Sequence, residues 1–113
     1  MLARVHRLRR SAEFRHVVQR GHRVGCGTIV VHAVQQRGGA PARLGFVVSK
    51  AVGAATVRNK VKRRLRHASR PWLDELSGAA VVIRANPAAA EVSFARLSSD
   101  VGRCLQRAHK GLA

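Results

Sequence analysis

From Ala55 to Arg70 the chain reads ATVRNKVKRRLRHASR, sixteen consecutive residues without a carboxylate. Wound as a helix at roughly 100° per residue, the segment puts Val57, Val61, Leu65 and Ala68 on one narrow stripe that can face a sheet. Arg58, Lys62 and Arg66 then form a ridge beside Asn59, Arg63 and Arg70. Pro71 ends the helix. Like charges spaced four apart cost a few tenths of a kcal/mol per pair, and solvated helices usually relieve this with interspersed Glu and Asp. Here nothing relieves it, so the face is read as one that meets a polyanion rather than one that is merely hydrated.

The remaining pattern supplies the partners for the stripe. After Ser11, an expected N-cap, Glu13 sits near the positive end of a first helix, Phe14, Val17 and Val18 make its apolar edge, and Gly21 closes it. TIVVHAV (Thr28–Val34), LGFVVS (Leu44–Ser49) and AAVVIRA (Ala79–Ala85) are rich in β-branched residues and read as strands, the last ended by Asn86 and Pro87. Ser93 caps a final helix in which Phe94, Leu97, Val101, Leu105 and Ala108 share a face. The order α-β-β-α-β-α predicts an α+β fold, a two-layer sandwich of one sheet covered by three helices. No linker or repeat divides the chain, so residues 1–113 are expected to form one domain, with 1–10 as a basic amino-terminal arm.

The chain has 113 residues with 22 Lys and Arg against 5 Asp and Glu, a formal charge of +17. A hydrophobic fraction of 46% is too high for a disordered basic tail. Such a charge favours nucleic acid as partner, with an anionic membrane surface second. No run approaches the roughly 18 apolar residues of a membrane span. MLARVHRLRR lacks the apolar centre of a secretory signal; it is acid-poor like an organellar presequence, but it enters a helix without a spacer and is read as an intrinsic arm. Cys26 and Cys104 fit no ligand spacing and are expected to be buried and reduced, in the cytoplasm.

At the basic helix the sequence resembles a known family, the protein subunit of bacterial ribonuclease P. The stretch VVSKAVGAATVRNKVKRRLR (Val47–Arg66) reproduces the family's Arg-Asn-Arg/Lys core, preceded by a strand ending in Val-Ser-Lys, and RLRRSAEFRHVVQRG is similar to its basic arm and first helix. The resemblance implies a sheet of about four strands with a left-handed βαβ crossover. It implies an accessory protein of an RNA enzyme, an endoribonuclease that removes the 5′ leader of precursor tRNA, with Mg2+ held mainly by RNA and no organic cofactor. By position, Arg58, Asn59, Lys60, Lys62, Arg63 and Arg66 would contact the RNA subunit. Phe14, Val18, His32, Phe46, Ser49 and Lys50 would face the leader, in a cleft between the sheet and the basic helix. The family often has aromatics at Val18 and His32, and this chain has no tyrosine, so weaker stacking is expected. Neither a membrane nor an obligate protein partner is implied.

Two other classes stay open at this point. A ribosomal-type RNA-binding protein would share the size and charge. A metal-dependent nuclease acting alone needs converging carboxylates; of Glu13, Asp74, Glu75, Glu91 and Asp100, only Asp74 and Glu75 are adjacent, and neighbours on a helix point apart. The six histidines are scattered. No catalytic or metal-binding residue is therefore expected in the protein.

Overall fold

The computed structural model describes residues 2–112; Met1 and Ala113, the ends of the expected domain, lie outside the described residues. Along the chain come helix α1 (Ser11–Arg20), strands β1 (His22–Cys26), β2 (Ile29–Gln35) and β3 (Arg43–Val47), helix α2 (Ala55–Ser69), strand β4 (Ala79–Ala85) and helix α3 (Phe94–Lys110). The strands form one sheet in the order β1-β2-β4-β3. Among the paired strands of the described residues, β3 and β4 are parallel and the others antiparallel, and α2 makes the crossover between β3 and β4.

β4 alternates between two apolar environments because it is central and covered on both faces. Ala79, Val81 and Ile83 join Val61 and Leu65 of α2 and Leu97, Val101 and Leu105 of α3 in the larger core. Ala80 and Val82 face the other way, onto Val17, Phe14 and Val18 of α1 and Leu8 of the arm. The main sandwich is thus the sheet against α2 and α3, with α1 on the opposite face. Val61, Leu65 and Ala68, the expected stripe of the basic helix, are buried, and Val57 is half-buried.

Strand β1 is the one that the sequence pattern did not locate. HRVGC offers only Val24 and Cys26 as alternating apolar positions, too short a run to stand out. It forms because Gly27, at a left-handed φ of 57°, turns the chain back so that Cys26 lies opposite Ile29. Thr28 in this turn is buried, and its hydroxyl donates to Asp100 Oδ2 on α3 at 2.7 Å. Arg103 adds a 2.6 Å contact to the same carboxylate and Arg96 a 3.5 Å contact. Burial alone would raise the Asp100 pKa; the Thr28 hydrogen bond and the two guanidinium groups outweigh it and hold the carboxyl below its ordinary value.

Ser93 caps α3 as expected, its Oγ accepting from the Arg96 N–H at 3.1 Å. Ser11 does not cap α1. It is the first helical residue, and Arg10 takes the cap position, its N–H donating to the Glu13 carboxylate at 3.1 Å. Glu13 is held there by Arg43 of β3, 2.5 Å away, which ties the helix start to the sheet edge. The arm before it is docked along the outer edge of β3. Leu2 and Leu8 are buried, His6 Nδ1 donates to the Ala42 carbonyl at 2.6 Å, and the Leu8 N–H donates to the Leu44 carbonyl at 2.9 Å. Arg7 pairs with Leu44 as a one-residue parallel bridge.

Candidate nucleic-acid interface

The cations of α2 divide into two flanks. Arg58, Lys62 and Arg66 are half-buried, and Lys62 and Arg66 reach the β3 edge, where they line a cavity of about 160 Å³ with Phe46, Phe14, Arg7 and Leu8. Asn59, Lys60 and Arg63 are exposed. Arg64 leans toward α3, where its guanidinium donates to the Val92 carbonyl at 3.5 Å. Among the described residues the ion pairs are Glu13–Arg43 and Asp100 with Arg96 and Arg103, so no carboxylate neutralises α2. The Arg58 Nε is buried without a partner among the described residues. A helix so charged and so unpaired is arranged to receive phosphates, to which arginine offers two parallel hydrogen bonds.

The second group of expected site residues is split by the sheet. Phe14 and Val18 lie on α1 with the smaller core, and His32 of β2 faces the same side, opposite Arg23 of β1 and Val82 of β4. Phe46 faces away, packed against the larger core beneath α2. This corrects the expected cleft between sheet and basic helix: the wall beside Phe14, Val18 and His32 is α1, because α2 occupies the other face. Phe14 and Phe46 still meet one cavity, since β3 is an edge strand around which both rings reach. Gly45 makes this possible. A Cβ there would overlap the Phe14 ring, so the ring lies directly on the β3 backbone. Ser49 and Lys50 are exposed beyond the end of β3, which stops at Val47; Lys50 begins the 3-10 turn Lys50–Val52 leading to α2.

His32 is 3% exposed, and neither ring nitrogen has a hydrogen-bond partner among the described residues. Burial first, then the charges of Arg84 and Arg23, hold its pKa below the usual 6.5, so the neutral ring is favoured. Arg84 and Arg23 went unnoticed in the sequence. The one available signal was the arginine interrupting AAVVIRA, which places a cation on the α1 face of the central strand.

No group of three or more His, Cys, Asp and Glu that could hold a metal ion comes together among the described residues. Asp100 and Glu13 are engaged by arginines, and Asp74, Glu75 and Glu91 are exposed elsewhere. The donor set does not fit a magnesium centre built from protein. Cys26 and Cys104 are free and buried, and burial together with its neighbour Cys26 pushes the Cys104 thiol up to about 12, far from a reactive thiolate. No helix among the described residues is long and apolar enough to cross a membrane.

Comparison with known proteins decides the family. The model of the family described as Ribonuclease P matches residues 2–109. The chain belongs to the ribonuclease P protein family. Among its relatives, the ribonuclease P protein component of Nocardioides sp. (strain ATCC BAA-499 / JS614) is 52% identical over 110 residues, covering 95% of this chain and 94% of that protein. That of Streptomyces avermitilis is 47% identical, with the same coverage. The ribonuclease P protein fold is also shared at lower identity. The structure of the Staphylococcus aureus RNase P protein superposes with a TM-score of 0.84 at 25% identity, over 91% of this chain and 94% of that one. The RNase P protein from Thermotoga maritima gives 0.80 at 27% identity, over 89% and 96%.

Proposed function

We propose that this chain binds the catalytic RNA of ribonuclease P through α2 and the 5′ leader of precursor tRNA along the α1 side of the sheet. The observation that carries the reading is the row of cations on α2 with no carboxylate partner among the described residues, in a chain of this family. Arg58, Asn59, Lys60, Lys62, Arg63 and Arg66 are assigned to the RNA subunit. Phe14, Val18 and His32 are assigned to the leader, with Ser49 and Lys50 at the mouth of its path and Phe46 at the β3 edge. Single-stranded RNA suits such a place, since it needs an apolar or aromatic floor and a cationic rim.

The protein acts by holding the substrate, while endonucleolytic cleavage is carried by the RNA, with Mg2+ bound there. Neutralised phosphates let the RNA subunit and precursor tRNA approach each other. Contacts to the leader add binding energy for precursor that product, having lost the leader, does not receive. The decisive experiment is reconstitution with the RNA subunit and precursor tRNA at low Mg2+. The protein is expected to raise cleavage; no gain overturns the proposal. Arg58→Ala and Arg63→Ala should each reduce the slope of log affinity against log salt for the RNA subunit by about one. Lys50→Ala should mainly reduce discrimination between precursor and mature tRNA. Purification from cells should yield one RNA of a few hundred nucleotides; recovery of ribosomal RNA would favour the ribosomal-type alternative.

A further inference from the structure

Where the carboxyl-terminal half of α2 meets the start of α3, Arg63, already assigned to the RNA subunit, lines a shallow depression with Arg64, His67 and Phe94. The His67 and Phe94 rings meet edge to face, their centroids 5.5 Å apart and their planes at 61°. His67 is exposed, and Phe94 is half-buried with one side against the core. Arg64 is fixed at the rim by its bond to the Val92 carbonyl, whereas Arg63 is exposed. Among the described residues no carboxylate lines the depression.

An aromatic surface flanked by two guanidinium groups has a definite chemical complement. Water gains little from an aromatic face, and an acidic peptide would use the arginines while leaving the rings idle. An unpaired nucleotide uses both, its base stacking on the rings and its phosphate meeting the arginines. Arg63 and Arg64 belong to the helix assigned above to the RNA subunit, so the nucleotide is supplied by that RNA rather than by the leader, which is assigned to the α1 side. Resting on that reading, we infer that His67 and Phe94 form a stacking site for an unpaired base of the RNA subunit, with Arg63 and Arg64 gripping its phosphate. The site gives the cationic helix a contact that depends on RNA being locally unpaired, and so a means of fixing register that charge alone lacks.

The test measures binding of the full chain to the transcribed RNA subunit as a function of salt. Phe94→Leu keeps apolar contact with the core and removes the aromatic face. It should weaken binding about tenfold at fixed salt, leave the slope against log salt unchanged, and leave precursor-over-product discrimination intact. Phe94→Trp should restore affinity. His67→Leu, at an exposed position, should shift affinity in the same direction and keeps the test valid if Phe94→Leu lowers thermal stability. Base-directed chemical probing should find one unpaired nucleotide protected by the wild-type protein and exposed with either leucine variant. Affinities within twofold of wild type for both leucine variants overturn the inference, as does a change confined to the salt slope. Failure of the wild-type chain itself to bind the RNA subunit would instead overturn the function proposed above.

Discussion

The two faces of the sheet are built on opposite principles. On one, α2 and α3 close over Val81, Ile83, Val31 and Leu44 so completely that Leu65, Leu97 and Val101 are wholly buried. On the other, the short helix α1 covers Ala80 and Val82 and leaves His32 among Arg23 and Arg84, with its ring nitrogens unpartnered. A buried polar group without a partner costs free energy, and a cluster of like charges adds to the cost. The larger core supplies the stability that the α1 face gives up, and the α1 face keeps hydrogen-bonding capacity and positive charge for a ligand. Local departure from good packing marks the surface where binding is expected.

This contrast can be broken first at the larger core. Leu65→Ala should cost about 3 kcal/mol in urea unfolding, since the side chain is wholly buried and its loss leaves a cavity, whereas Val18→Ala on half-buried α1 should cost less than half of that. Equal losses would show that the two faces share the load. Gly45→Ala should cost about 2 kcal/mol through overpacking, because its Cβ enters the Phe14 ring; precursor discrimination should fall in the same variant, and unchanged discrimination would remove Phe14 from the leader path. Asp100→Ala should also cost roughly 2 kcal/mol, by leaving the Thr28 hydroxyl buried without its charged acceptor. It should spare RNA affinity.

The smallest effect sharpens the comparison by pH. His32 has its pKa lowered by folding, so the unfolded chain takes up this proton first as pH falls, and stability drops below about pH 6.5 until the folded ring also protonates. His32→Leu should flatten stability between pH 6.5 and 5 in urea titrations. The Asp100 carboxyl is lowered as well, which places its contribution at higher pH and its loss only below the ordinary carboxylate range, near 3.8. A variant that retained the full drop from pH 6.5 to 5 would show that His32 is not its source.

The elements with long periodic patterns were legible. α2 ends at Ser69, one residue from the expected Arg70, α3 carries the expected cap and stripe, and β4 matches residue for residue. What a one-dimensional pattern lacks is the side on which an element packs. Phe14 and Phe46 both read as apolar candidates, and only strand register and the opposite placement of α1 and α2 send them to different faces. Arg23, Arg84 and His32 become neighbours through pairing across β1, β2 and β4, and His67 meets Phe94 from another helix. Ser11 looked like a cap because its type fits; the bond from the Arg10 N–H to Glu13 puts the cap one residue earlier.

The arm laid along β3 bears on the life of the protein before it meets RNA. A four-stranded open sheet has two outer strands, each a template for another chain. At one margin the Leu8 amide and Leu44 carbonyl are already joined, with arginines projecting around them; at the other, the five residues of β1 include exposed His22 and Arg23. Strand-by-strand self-association therefore meets an occupied margin on one side and a short, cationic one on the other. The newly made protein can remain dispersed while it waits for its partner, and its own unneutralised charge of +17 works in the same direction by mutual repulsion.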